Sequence, residues 1–365
     1  MLRGWWYGHR GAVVRNDPAD TVGRADDNEA VSGPAVNATP RDERAFAELV
    51  APFRRELHVH CYRMLGSVTD AEDVMQEVLT AAWRGLDGFA GRSSIRTWLY
   101  RIATNRCLNA IRDGRRRRPP EPAPPFDPPE PSRLGEITWL QPYPDEWLAE
   151  LADGGRGPAA RYDDREAVEL AFIVALQKLP PRQLAALLLC DVLGFPAAEA
   201  AAMLDTTPIA IKGSLQRARA RLDRSPAMSG NDAGSAADRA LAASFAQALT
   251  AGDIDGAIAL LTDDAWLAMP PARHEYHGHA PIAAFLRASR EWRGRRNLDF
   301  EPTGANGQPA FVSRLIAPNA AVHPAGVFVL TIRGDRISAI TRFLDERVQA
   351  MFRPTRHAHP DDLRT

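Results

Sequence analysis

Eight of the thirteen residues at positions 119–131 are proline. Proline lacks an amide hydrogen and fixes φ, so neither a helix nor a central strand runs through such a stretch. It is a linker, extended where the prolines dominate, and it separates the chain into a part before and a part after. A second break follows at Ser225-Pro226-Ala227-Met228-Ser229-Gly230-Asn231-Asp232, a run of small residues. At 365 residues the chain is long enough for two or three domains with real cores. The breaks divide it into an extension (1–40), a helical block (41–118), a proline-rich linker (119–164), a second helical block (165–225), a short linker (226–237), a third domain (238–352) and a tail (353–365).

Composition excludes several classes. No apolar run is long enough to span a bilayer, so no membrane association is expected. Residues 1–40 scatter Asp, Asn, Gly and Pro without periodicity, which reads as disorder, and they lack the apolar core of a signal peptide. Cys61, Cys107 and Cys190 lie far apart in sequence, each in an apolar helical stretch. An odd, unpaired set of this kind fits buried thiols in a reducing cytoplasm. In His58-Val59-His60-Cys61 the residues two apart point away from each other on a helix, so no metal and no cofactor is expected.

In the first block, Ala45, Phe46, Leu49, Val50 and Phe53, then Leu57, Cys61, Met64 and Leu65, repeat at helical spacing past Pro52 and stop at Gly66. Thr69 or Asp70 is placed to cap a second helix, whose stripe is Ala71, Val74, Met75, Val78, Leu79 and Ala82. Asp70, Asp73 and Glu77 share its opposite side. A third helix buries Ile95, Trp98, Leu99, Ile102, Ala103 and Ala110 and gathers Thr97, Arg101, Asn105, Asn109 and Arg112 on its polar face. Cations and amides beside the loop 89–94, which carries Phe89, suit phosphate contact and the reading of bases on an opened strand. The block ends in Arg115-Arg116-Arg117-Arg118, a sequence-independent phosphate contact if DNA lies nearby.

The second block reads as a helix-turn-helix. Leu179-Pro180-Pro181-Arg182-Gln183 breaks and restarts a helix, and Pro196 opens a short one through Met203 and Leu204. Asp205-Thr206-Thr207 forms the turn, with Thr207 as cap and Pro208 at the first position of the last helix. Ile209, Ile211, Leu215, Ala218 and Leu222 are expected to pack inward, leaving Lys212, Gly213, Gln216 and Arg217 outward. Gly213 costs about 1 kcal/mol in mid-helix relative to Ala, which close approach to a DNA backbone would explain.

Asp70-Ala71-Glu72-Asp73 and the run from Ser93-Ser94 through Arg96-Thr97-Trp98-Leu99-Tyr100-Arg101-Ile102-Ala103-Thr104-Asn105 closely resemble region two of bacterial sigma factors of the extracytoplasmic-function type. Leu179-Pro180-Pro181-Arg182-Gln183 through Leu215-Gln216-Arg217-Ala218-Arg219-Ala220-Arg221-Leu222 resembles region four of the same family, in the family's order. The resemblance implies a cytoplasmic transcription initiation factor. Its partners would be core RNA polymerase, through the beta-prime clamp helices and the beta flap, and promoter DNA. By the same resemblance Asp70, Glu72, Asp73 and Glu77 face the clamp helices, and Phe89, Arg92, Ser93, Ser94, Arg101, Asn105 and Asn109 open and hold the -10 element. Thr207, Lys212, Gly213, Gln216, Arg217 and Arg219 belong to the -35 contact, with Arg219 and Arg221 nearer phosphate. Two routes are open to the linker's Trp139-Leu140-Gln141-Pro142-Tyr143: the family's path through the polymerase toward the RNA exit, or docking on the protein's own helices. Cys190, Lys212 and Gly213 depart from common family residues and leave the promoter sequence undefined.

The third domain places helices around Leu241, Phe245 and Leu249 and around Ile254 to Leu261. Strands follow near 265–269, 298–301, 310–315, 322–332 and 336–344, the last two joined by a turn at Gly334-Asp335. Helices followed by a curved antiparallel sheet argue an α+β cone. Phe245-Ala246-Gln247-Ala248-Leu249, Gly252-Asp253-Ile254-Asp255, Met269-Pro270-Pro271 and His277-Gly278 resemble the SnoaL-like fold. The fold class is therefore multidomain: two all-α sigma domains and a C-terminal α+β SnoaL-like cone. Trp266, Met269, His274, His277, Trp292, Phe311 and Asp345 are candidates for a pocket, with Tyr276 and His323 nearby. No catalytic residues are expected; the cone is read as a regulator in cis, and an anti-sigma protein or a small-molecule ligand would be a further partner. Two other classes stay open: a helix-turn-helix regulator acting without polymerase, and a pocket enzyme with a DNA-binding appendage.

Overall fold

A computed structural model of the chain describes residues 42–114, 125–135, 140–152, 170–222, 235–270 and 272–352. The extension, the arginine run 115–118, Trp139 and the tail after 352 lie outside the described residues.

α1 (Glu43–Leu65) starts at Asp42, whose carboxylate accepts from the Arg44 amide, and runs through Pro52. It ends at Gly66, where φ is 70° and the amide bonds back to Tyr62 O at 2.7 Å. A side chain there would meet Gln177 at 2.9 Å, so this position needs glycine for both conformation and space. α2 (Val68–Gly85) is capped by Ser67, which accepts from the Asp70 amide, and not by Thr69 or Asp70 as expected. Thr69 is instead drawn to the Gln141 side chain, which accepts from its amide and its hydroxyl at 3.0 Å each. α3 (Ile95–Arg112) is capped by Ser94. The three helices bury Leu57, Met64, Val74, Val78, Leu99, Tyr100 and Ala103. Cys61 and Cys107, far apart in sequence, hydrogen bond in this core, and burial pushes the Cys107 thiol pKa well up.

The linker is not idle. Arg133–Leu134 forms β1, and α4 (Asp145–Ala152) follows the segment 140–144. Tyr143 is fully buried and Leu140 and Gln141 nearly so. Docking on the protein's own helices is thus the arrangement seen for this segment.

The second block comprises α5 (Leu170–Gln177), α6 (Pro181–Leu187, continuing as a π turn over Leu188–Val192), α7 (Ala197–Met203) and α8 (Pro208–Leu222). The prolines at 181 and 208 open helices as anticipated. Ile211, Leu215, Ala218 and Leu222 are buried, but Ile209 is 82% exposed. Two residues before Ile211 is about 200° around the helix, on the opposite side of the buried stripe.

The third domain opens with α9 (Ala236–Ala251), fixed by a reciprocal Ser235–Asp238 capping box, and α10 (Ile254–Ala259). β2 (Leu261–Ala268), β3 (His274–His277), α11 (His279–Arg293), β4 (Asn297–Ala305), β5 (Gln308–Ile316), β6 (Val322–Arg333), β7 (Arg336–Phe343) and α12 (Glu346–Met351) complete it. The sheet order is β1-β3-β2-β7-β6-β5-β4. It is mixed and not wholly antiparallel as expected, because β2 pairs parallel with β7, and its edge strand β1 comes from the linker.

Both faces of this sheet are covered. Toward α9 and α11, Phe245, Leu267, Phe285, Leu315 and Phe328 fill the cone. On the other face Ala310, Val312, Val327, Val329 and Phe343 join one continuous core with α1–α3, the linker and the second helical block. β5 therefore reads as apolar on both sides.

Candidate nucleic-acid interface

The acidic side of α2 is arranged as the spacing predicts. Glu72 and Asp73 are exposed, Asp70 is half-buried at the first turn, and Glu77 lies 3.8 Å from Arg106. Carboxylates at one helix face leave a negative patch that a basic helix from a partner could meet.

The polar face of α3 meets the second helical block. Asn105 Nδ2 donates to Met203 O at 3.3 Å, Arg101 Nη2 to Asp205 Oδ1 at 3.5 Å, and Thr97 Oγ1 to Glu199 Oε2 at 3.2 Å. α7 and the turn after it therefore lie along the face that the sequence marks for base reading. Asp205 adopts φ 47°, which aims its carboxylate back toward α3. Asn109, Arg92, Ser93 and Ser94 are exposed, Ser94 being occupied by capping Thr97 at 3.0 Å. Phe89 packs its ring on Trp98 at 5.0 Å, so the two aromatics brace the loop before α3.

On α8, Lys212, Gln216 and Arg217 project outward. A Cβ at Gly213 would stand 3.3 Å from the guanidinium of exposed Arg217, a flexible end that gives way, so this contact does not require glycine; Arg217 donates to Ser214 Oγ at 3.4 Å. Thr207 accepts from the Ala210 amide at 3.2 Å. Arg219, grouped with the DNA contacts, is instead held by Asp191 in a bidentate pair of 2.7 and 3.2 Å. This departs from the sequence reading: a half-buried carboxylate on the neighbouring π turn captures the fork that would have faced phosphate. Arg221 is exposed.

The residues picked for a C-terminal pocket do not converge. A cavity inside the cone is lined by Leu267, Phe285, Trp292, Arg293, Phe328 and Arg342, among others, and of the candidates only Trp292 reaches it. Met269 and Phe311 are buried in the surrounding core. Trp266 and His277 alternate to the outer face of the sheet, where their rings stack at 4.2 Å and Arg133 lies 4.2 Å over Trp266. Asp345 caps α12. His274 is half-buried near the linker edge, and His323 is exposed. Period-two alternation decides these placements, and a shift of one residue in the expected strand start reverses them.

The residues missed by sequence are those that join the parts. Asn306, fully buried at φ 57° in the β4–β5 turn, donates from Nδ2 to Tyr62 Oη at 2.8 Å and accepts from the Tyr143 amide at 2.8 Å. Its own amide donates to Tyr143 O at 2.9 Å. Tyr62 Oη donates onward to Gln141 O at 2.9 Å, and Tyr143 Oη shares a hydrogen bond with His58 Nδ1 at 2.9 Å. Asn306-Gly307 is a hairpin-turn dipeptide, which the sequence could have flagged. His58 and His60 are both neutral: burial first, then Arg55 and Arg54, lowers the His58 pKa to about 4, and burial with Arg63 and Arg96 lowers that of His60 to about 3.

Among known families, the chain matches Sigma-70 region 2 over residues 49–117, Sigma-70 region 4 over 169–222 and the SnoaL-like domain over 242–340. It is 41% identical to the ECF RNA polymerase sigma factor SigG of Mycobacterium tuberculosis, over 84% of this chain and 83% of that protein. SigM of the same organism is 32% identical over 52% of this chain and 89% of its own length. The crystal structure of the M. tuberculosis extracytoplasmic function sigma factor SigJ superposes with a TM-score of 0.57, covering 84% of this chain and 99% of that one at 20% identity, a likeness of fold.

Proposed function

The chain belongs to the extracytoplasmic-function family of RNA polymerase sigma factors, and from that premise we propose how its residues divide the work of binding core polymerase and selecting a promoter. Glu72 and Asp73, with Asp70 and Glu77 beside them, meet the beta-prime clamp helices; charge and exposure support this. The loop 89–94 with Arg101, Asn105 and Asn109 holds the opened -10 element, where a flipped base costs a few kcal/mol that stacking and pocket contacts offset. Lys212, Gln216 and Arg217 lie in the -35 major groove. Such a protein works where polymerase works, in the cytoplasm.

The C-terminal domain regulates this activity in cis. The observation that carries this reading is the contact on the α3 face: Asn105 and Arg101 are engaged by α7 and its turn while the third domain grips the linker through Asn306. Holding the linker on Tyr62 and Tyr143 keeps the two DNA-binding blocks together, and promoter binding then requires the grip to loosen. Ligands and partners that favour the loosened form shift the balance by their differential affinity. His277 and Asp345 lie off this cavity.

Run-off transcription with core polymerase on the promoter of the protein's own gene tests both statements. Initiation by the wild-type chain is expected, and Asn306→Gly is expected to initiate more strongly. Absence of core binding would remove the sigma assignment; equal initiation by the variant would remove regulation through the grip.

A further inference from the structure

Two arginines face the cavity of the cone with no carboxylate partner among the described residues. Arg293 closes α11, is only 9% exposed, and its Nε has no hydrogen-bond partner among the described residues. Arg342, on β7, donates from Nε and Nη2 to one acceptor, Ala325 O, at 3.2 and 2.8 Å, and its guanidinium lies 5.0 Å over the Phe328 ring. A carbonyl and a ring face partly solvate this cation but do not neutralise it. Among the described residues no carboxylate lines the cavity, and apart from Ser289 the remaining wall is apolar or aromatic.

Several other arginines of the same domain have carboxylate partners, while Arg296, half-buried, is held like Arg342 by backbone carbonyls and a ring face. Arg314 pairs with Asp299 and Glu301, Arg333 with Asp264, and Arg287 with Asp255. Those pairs are exposed, where an unpaired arginine would cost little. The arginines at the cavity are the ones for which desolvation makes a missing anion expensive. Burial lowers the affinity of both for their protons, and the Arg293 charge lowers that of Arg342 further, to about 10.

We propose that the cone is a binding site for a small monocarboxylate, the carboxylate held by Arg293 and Arg342 and a short apolar group by Leu267, Phe285 and Leu315. A planar carboxylate matches guanidinium geometry, and a monoanion with an apolar body matches a wall that offers one hydroxyl besides the two cations. The cavity, ≈ 30 Å³, sets the scale: it is roughly a fifth of one that admits benzene, so it takes an acid of the size of formate or acetate and not an aromatic one. The linker's Phe126 rests on Phe285 at 5.5 Å and on Trp292 at 5.9 Å, both in the cavity wall. Occupancy therefore bears on the linker as well as on the cone.

Isothermal titration calorimetry of the full-length chain tests this with sodium formate and sodium acetate, against formamide, acetamide and inorganic phosphate. Saturable binding of at least one acid, one per chain, is expected, at least tenfold tighter than its amide and than phosphate. Arg293→Gln, checked by circular dichroism for an intact fold, should weaken the acid at least tenfold and leave the amide unchanged. No saturable binding of either acid would overturn the proposal, as would an amide or phosphate that binds as tightly. The acid–amide comparison on the wild-type chain decides the matter even if the variant folds poorly. Because it reads binding and not transcription, its outcome is independent of the sigma assignment.

Discussion

Asn306 and Tyr62, 244 residues apart, meet at 2.8 Å in a fully buried hydrogen bond that fastens the C-terminal hairpin to the first helix. The same asparagine satisfies the buried Tyr143 amide. Asn306→Gly preserves the positive φ and removes only the side chain, so the change isolates these bonds. A buried donor left without its partner costs about 1–3 kcal/mol. Urea denaturation followed by tryptophan fluorescence should show a loss of that size, with earlier proteolytic cutting in the linker. A variant as stable as the wild type would mean that apolar contact across the sheet, and not this bond, holds the parts together.

Acid should weaken the fold through His58 and His60. Their folded pKa values, about 4 and about 3, lie below the unfolded value of 6.5. The unfolded chain thus binds protons that the folded chain refuses, and stability present above about pH 6.5 declines as pH falls toward 4. The effect is on the order of 2–3 kcal/mol per histidine over that window. Denaturation midpoints at a series of pH values check it. His60→Gln, which keeps a polar partner for Thr104 Oγ1 at 2.9 Å in the native structure, should flatten the curve. A profile unchanged by that substitution would contradict the assignment.

Arg217 and Arg219 should separate by phenotype although they are neighbours on α8. Arg219→Ala strips Asp191 of its bidentate partner and is expected to cost about 1.5–3 kcal/mol of stability. Arg217→Ala, at an exposed position, should leave stability unchanged and cost about 1–3 kcal/mol of affinity at one base-pair position of the -35 element. Melting temperatures and binding to a panel of single-substitution promoters distinguish the two. Uniform weakening across the panel by Arg217→Ala would mean phosphate contact instead.

Asp73→Arg reverses a charge on an exposed helix face with no buried role. Affinity for core polymerase should fall at least tenfold while the circular dichroism spectrum and melting temperature stay as in the wild type. Unchanged affinity would move the clamp contact elsewhere.

How much of this was legible beforehand follows from the range of the interactions. Helical spacing, proline positions and the Thr207–Pro208 start are local, and α1–α3 and α5–α8 appear where the spacing places them. Local rules fail where a distant group competes. Ser67, not Thr69, caps α2 while both hydroxyls share Gln141 Oε1, and Asp191 takes Arg219. In the cone, the register of β2 sends Trp266 and His277 outward, and the parallel β2–β7 pair has no sequence signature of its own.

By itself, the sequence determined the helical blocks, the helix-turn-helix, the order of the domains and the two surfaces of like charge, because these depend on residues within a few turns of one another. Tertiary structure alone decided that the linker is clasped by Asn306, that α7 touches the polar face of α3 at Thr97 and Asn105, and that Arg293 and Arg342 share one apolar cavity. Each of those depends on groups brought together across 49 to 244 positions of chain by burial of the two shared cores, and no local periodicity records such a meeting.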